Sequence, residues 1–246
     1  GNGINEIQLE KKYFQIKKNN RFLIFPILLA GLLFTLTIGC KKADNEPDTV
    51  KDIDGNLYHT VTIGTQIWMG ENLNVTHYRN GDLITKITDN TAWLSRTSEA
   101  YCEYDNSPVN STIYGKLYNG YTVVDSRKLC PTGWHVPSAG EWEDLATYLG
   151  GQGAAGGTLK ETGTTHWESP NTGATNESGF TALPGGYRSD ADGAFGGLGS
   201  YTDLWSSTED NTDYSWRCLM MYDDGMVIIG GSGHKVYGFS VRCIKD

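Results

Sequence analysis

The sequence predicts an α+β domain with few helices, short antiparallel strands and long glycine-rich loops. Three observations carry that prediction. Thirty-one glycines in 246 residues mean many turns and few long helices. One strong helix signature stands after Pro137. Around it, short β-branched segments alternate with Gly, Asn and Asp turns.

The folded elements begin near residue 50. Residues 50–53 and 57–63 flank Asp54-Gly55-Asn56, a turn signal, and predict a hairpin. Gly64-Thr65-Gln66 makes a second turn before Ile67-Trp68-Met69. Asp52 and Asp54 beside a glycine could recruit calcium, but a turn explains them without a metal, and the later ligands of an EF-hand loop are absent. Asp89-Asn90 reads as a cap for a short helix reaching Ala100. Residues 113–123 predict a second helix with Leu117, Tyr118 and Tyr121 on one face. After Pro137, Ser138 and Glu141 form a capping box, and Trp142, Leu145, Ala146 and Leu149 recur at helical spacing until Gly150-Gly151 stops the run. Glycine-rich loops are expected at 153–157, 193–199 and 230–233. Residues 226–229 and 236–243 read as two paired terminal strands.

Ahead of this lies a different texture. Residues 22–38 carry no charge, and Lys11, Lys12, Lys17, Lys18 and Arg21 precede them. Basic, apolar and small-residue regions in that order make a secretory signal. Thr37-Ile38-Gly39-Cys40 resembles a bacterial lipobox, which makes Cys40 the expected lipidation site. The expected organisation is a signal peptide over 1–39, a polar tether over 40–49 and one domain over 50–246. The protein is then anchored by lipid in the bacterial cell envelope, at the outer membrane, facing the periplasm or the exterior. With Glu6 and Glu10 counted, residues 1–39 hold a net charge of +3, so the rest holds −12 of the formal −9. That acidic balance argues against a nucleic-acid partner, which would need a basic surface.

Ordered motifs run through residues 50–246: Asp52-Ile-Asp-Gly-Asn56, Trp68-Met-Gly-Glu-Asn-Leu73, Tyr114-Gly-Lys-Leu-Tyr-Asn119, Leu129-Cys-Pro-Thr-Gly-Trp-His-Val-Pro137, Phe180-Thr-Ala-Leu-Pro-Gly-Gly-Tyr-Arg188, Trp205-Ser-Ser-Thr-Glu209 and Gly238-Phe-Ser-Val-Arg-Cys243. By these motifs the chain resembles the Fibrobacter succinogenes major paralogous domain family, found mostly on exported proteins of Bacteroidetes. The Pro137–Trp142 helix start, the Trp205 segment and the closing Gly-Phe-x-Val-Arg-Cys are also similar to the formylglycine-generating, sulfatase-modifying enzyme superfamily. That likeness implies a C-type-lectin-like fold.

Past Cys40 stand four cysteines, an even number that suits disulfides in an exported domain and allows three pairings. Lectin-like folds join the region of the main helix to the last strand. The resemblance thus implies Cys130–Cys243 and leaves Cys102 and Cys218 free to form a second bridge. The formylglycine-generating enzymes need a reactive thiol pair in the C-terminal third. That stretch offers only Cys218, which argues against their chemistry. No CxxC or HxxxH spacing serves zinc.

Three function classes remain. A non-catalytic binding or adhesion module leads, because Trp167, Tyr187, Arg188, Tyr201, Trp205 and Tyr222 lie in or near glycine and polar loops. Rings there can stack on sugar faces while Glu209 and other polar groups bond hydroxyls, so polysaccharide or a surface protein is the expected partner. A hydrolase would need paired carboxylates. Asp203, Glu209, Asp210 and Asp213 form an acidic run, but such runs are usually solvated. His135 reads as a partly buried structural histidine, and His166 too lies beside a tryptophan. The third class is a structural surface-assembly component. No cofactor is expected, and Asp190-Ala-Asp192-Gly193 reads as a turn before it reads as a calcium loop.

Overall fold

A computed structural model describes residues 49–231 and 233–246. The predicted signal segment, the lipidation site Cys40 and all but the last residue of the predicted tether lie outside them.

The described residues form a mostly β fold with five short α-helices and fourteen strands. The first hairpin forms as its turn signal requires: β1 (Thr49–Lys51) pairs antiparallel with β2 (Leu57–Ile63). Asp52 closes the turn by accepting from the Asn56 backbone, the Asn56 amide and the Tyr58 hydroxyl. The second turn leads into β3 (Gln66–Met69), which pairs with β2. A five-stranded sheet is completed by β6 (Trp134–His135) and β14 (Ile244–Lys245), in the order β1-β2-β3-β14-β6.

The second sheet has nine strands. Its path runs β11 (Val227–Ile229), β10 (Tyr214–Met221), β9 (Tyr201–Glu209), β7 (Gly185–Arg188), β13 (Gly238–Phe239), β5 (Leu117–Asn119) and β4 (Tyr101–Cys102). β8 (Phe195–Leu198) pairs with β7, and β12 (Gly233–His234) with β10. Every pairing between these strands is antiparallel except β7 with β9.

Five helices complete the fold. The first, α1, covers Asn90–Leu94, and Asp89 caps it by accepting from the Ala92 N–H at 2.8 Å. It ends at Leu94, short of the predicted Ala100. The main helix α4 (Ala139–Tyr148) carries the full capping box of Ser138 and Glu141. Its apolar stripe buries Trp142, Leu145 and Ala146 against Trp68, Phe180 and Trp167. Trp68 and Trp142 lie with ring centroids 4.6 Å apart.

The expected glycine-rich loop at 193–199 holds β8, which its pairing with β7 makes a strand, and three further predicted elements differ. Residues 113–123 are not one helix. Instead α2 (Pro108–Tyr114) ends at Gly115, whose φ of +77° turns the chain where a side chain would meet Asn72 and Leu73. β5 follows, and then the one-turn helix α3 (Gly120–Val123). Leu117, Tyr118 and Asn119 are all buried, a pattern of a strand covered on both faces rather than of a one-sided helix. The terminal segments 226–229 and 236–243 do not pair with each other; β11 pairs with β10, and β13 with β5 and β7.

The third difference is at 153–157, which is helical: α5 spans Gln152–Leu159. Glycine serves close packing there. A Cβ on Gly156 would stand 2.2 Å from the Met226 carbonyl oxygen, and one on Gly157 2.4 Å from that of Gly173. Gly153 faces open space. Gly156→Ala is therefore expected to cost about 1–3 kcal/mol by overpacking. Gly153→Ala should stabilise by about 0.5–1 kcal/mol, because helix propensity alone decides there. Paired urea titrations check the opposite signs.

The disulfide Cys130–Cys243 is formed, with Cα atoms 6.1 Å apart. The second expected bridge is not: Cys102 and Cys218 are buried free thiols. They sit on β4 and β10, with four strands between them. At about 4.8 Å per strand that is roughly 24 Å, against the 4.4–6.8 Å a disulfide spans.

Three buried cations tie loops to this frame. Lys160 donates to the carbonyls of Thr172, Met221 and Asp224 at 2.7–2.9 Å, and burial lowers its pKa to about 8. Arg242 donates to Asn72 Oδ1 and the Phe180 carbonyl, with its guanidinium 4.2 Å from the Phe180 ring centroid. Arg188 does the same work elsewhere, as described next.

Candidate functional site

The site grows from strand alternation. On β9, Tyr201, Asp203 and Trp205 share one face, while Thr202 and Leu204 point to the other. In register with them on β10 lie Met221, Leu219 and Arg217. On the opposite face, Leu204, Cys218 and Met220 enter the core with Trp142 and Phe180. β7 joins β9 at Gly186 opposite Thr202, which brings Tyr187 onto the Tyr201 side. Tyr237, just before β13, closes the ring.

These residues line a pocket of about 250 Å³: Tyr187, Tyr201, Asp203, Arg217, Leu219 and Tyr237. Tyr187 lies 6.2 Å from Tyr237 (near-perpendicular) and 6.4 Å from Tyr201, between ring centroids. The β7–β8 hairpin can approach these rings only because Gly197 lacks a side chain. Its φ is +71°, and a Cβ would stand 2.5 Å from the Tyr201 ring.

An ion pair joins the two central strands. Arg217 Nη1 donates to Asp203 Oδ1, and the guanidinium lies 5.5 Å from the Phe239 ring centroid. Asp203 is only 3% exposed, whereas the Arg217 side chain is 31% exposed. Burial pushes the Asp203 carboxyl up to about 6, and Arg217 only partly offsets it. Because the folded-state pKa is raised, Asp203's contribution to stability is fully present below 3.8, its ordinary value, and is lost as pH rises through about 6. Two pKa units correspond to roughly 3 kcal/mol. Urea denaturation of wild type and Asp203→Asn at pH 4 and pH 7 should show the variant gaining, relative to wild type, by up to that amount. A relative loss would mean that Arg217, not burial, controls the group.

Of the residues singled out from sequence, Tyr187 and Tyr201 meet in this pocket. Trp167, Trp205 and Arg188 do not reach a ligand surface. Trp167 is 1% exposed and donates to the Ala182 carbonyl; Trp205 is fully buried and donates to the Tyr118 carbonyl. Arg188, also fully buried, donates to the carbonyls of Gly193, Ile87 and Thr88 and to Asn90 Oδ1. Its guanidinium lies between the rings of Trp93 and Phe195. Glu209 is exposed but bound to Lys235, and Tyr222 packs half-buried on the core. Sequence reasoning missed Arg217, Leu219 and Tyr237, and it read Asp203 as part of a solvated run. The available signal was alternation on 201–205 opposite 217–221.

The remaining polar groups serve the frame. His135 bridges Glu141 at 2.8 Å and Asp246 at 2.7 Å. Burial pulls its pKa down, but these two bonds win and hold it above the ordinary value. His166 contacts Glu161 at 2.8 Å. Asp192 accepts from the Ala194 N–H, as a turn requires. Among the described residues, no three His, Cys, Asp or Glu side chains converge as a metal site. A slightly larger hollow, about 290 Å³, lies beside the disulfide, but no ring lines it and Arg79 there is engaged by the Cys130 and Trp134 carbonyls. A third, about 220 Å³, abuts Arg242, whose donors Asn72 and Phe180 occupy.

The molecule thus falls in the class of disulfide-stapled, mostly β domains with a tyrosine-walled pocket on one sheet face. Residues 61–245 match the Fibrobacter succinogenes major domain, and the chain belongs to that family. No curated protein and no solved structure matches it.

Proposed function

We propose that this chain is a lipid-anchored protein of the bacterial outer membrane whose domain is a non-catalytic binding module for carbohydrate. The observation that carries the reading is the pocket itself. Three tyrosine rings stand around an ion pair on one sheet face. Rings offer flat apolar surface to the C–H face of a sugar, and the ion pair offers donors and an acceptor to its hydroxyls. The pocket lining holds one carboxylate, Asp203, where acid–base glycoside hydrolysis uses two. A concave, ring-lined site also favours ligand binding over a purely structural surface role.

For the fold we favour the C-type-lectin-like arrangement of the formylglycine-generating enzymes. The staple from the segment before α4 to the segment before β14 supports it. A lipid on Cys40 would tether the domain at the envelope. Mass spectrometry of the membrane fraction checks the tether; an unmodified, uncleaved N-terminus would remove it.

A glycan array probed with the full-length chain tests the ligand class. Binding to a subset of glycans, lost in Tyr201→Ala with the fold intact, is the expected result. A uniformly blank array with folded protein would sink the carbohydrate reading.

A further inference from the structure

We infer, resting on the reading of the pocket as a sugar site, that its ligand is a single neutral sugar ring at the end or branch of a glycan, held through adjacent hydroxyls by Asp203 and Arg217. The two side chains cancel each other's charge through the bond from Arg217 Nη1 to Asp203 Oδ1. The bond between them engages one oxygen of Asp203 and one nitrogen of Arg217, and Asp203 Oδ2 and Arg217 Nε and Nη2 lie outside it. An acceptor and several donors therefore sit side by side on neighbouring strands. A hydroxyl both donates and accepts, so a pair of adjacent hydroxyls satisfies both groups at once. A carboxylate only accepts. It would gain at Arg217 but stand against ionised Asp203, inside a domain whose sequence past residue 39 carries −12.

Size points the same way. About 250 Å³ falls below the roughly 300–1,000 Å³ of sites for drug-sized ligands, so one ring fills it. Leu219 and the tyrosine faces supply the apolar wall for that ring.

Protonation gives the proposal a signature. Asp203 is faced by Arg217 from β10, Tyr201 from its own strand, Tyr187 from β7 and Tyr237 from the β13 side, while the Cys218 thiol lies on the other face of β10. Asp190, beside Tyr237, lies 3.8 Å from His234. Burial holds Asp203 at about 6, so it loses its role as a pure acceptor between pH 7.5 and pH 5. A neutral ligand that needs the carboxylate should then bind about tenfold more weakly at pH 5.

Isothermal titration of the full-length chain with methyl glycosides of neutral hexoses, and with the matching uronates, tests this at pH 7.5 and pH 5. At least one neutral glycoside should bind, its uronate tenfold or more weaker, and Asp203→Asn should lose tenfold or more. A uronate that binds as well or better, or neutral-sugar affinity that holds or rises toward pH 5, overturns the inference and leaves the sugar pocket standing. No binding in either set, together with a blank array, overturns both. If Asp203→Asn fails to fold, the wild-type pH series decides alone.

Discussion

Replacing Cys130 and Cys243 together by alanine is expected to lower the melting temperature by roughly 10 °C. The bridge joins residues 113 apart in sequence. In the chain-entropy account, closing a loop near that length restricts the unfolded chain by about 4–5 kcal/mol, and removing native disulfides costs about 2–5 kcal/mol. A domain of this size shifts by about 2–4 °C per kcal/mol. Calorimetry with and without reductant checks it. Reductant should reproduce the shift in wild type and do nothing to the double variant. Cys102→Ala should respond to reductant as wild type does, because Cys102 is a buried free thiol outside the bridge, with a pKa that burial raises to about 12. A wild-type protein indifferent to reductant would mean the bridge contributes little.

The second large effect is expected at Arg188. Arg188→Met keeps the apolar stem but leaves the carbonyls of Gly193 and Ile87 without their donor, and weakens those around Thr88 and Asn90. An unpartnered buried acceptor costs about 1–3 kcal/mol. The loss should therefore be on the order of 3 kcal/mol or more, and the fraction that stays folded should bind ligand as wild type does. Tyr201→Ala should do the reverse, with modest destabilisation and lost binding. Denaturant titration paired with ligand titration separates the two. If Arg188→Met abolished binding in a fully stable protein, the pocket assignment would be wrong and Arg188 would belong to the site.

These cases show what could be read from residues alone. The capping box of α4 and the first two turns were legible because each is decided within a few residues. The helix at 152–159 was not. Glycines there signal a loop locally, yet the close approach of Met226 and Gly173 selects them. Likewise Leu117 and Tyr118 fit a helix face together with Tyr121, and only pairing with β4 and β13 makes 117–119 a strand.

The site divides along the same line. Tyr187 and Tyr201 were visible as rings in glycine-rich surroundings. Trp167, Trp205 and Arg188 look equally suitable in sequence, and long-range packing buries them. Asp203 was read with its acidic neighbours as solvated, but it alone of that run faces Arg217 across a strand pair. Such a pairing depends on register, which the hydrophobic pattern of β9 and β10 sets but single residues do not.

One feature of the sheets bears on how the molecule is made. Strand β14, only Ile244–Lys245, lies between β3 and β6 in the five-stranded sheet. Translation proceeds from the amino terminus, so β3 and β6 are both made before the strand that joins them. The ribosome must release the last stretch of the domain before the two can be joined and before Cys243 can reach Cys130. A growing chain therefore stays open-edged until these residues join, a form in need of protection from aggregation.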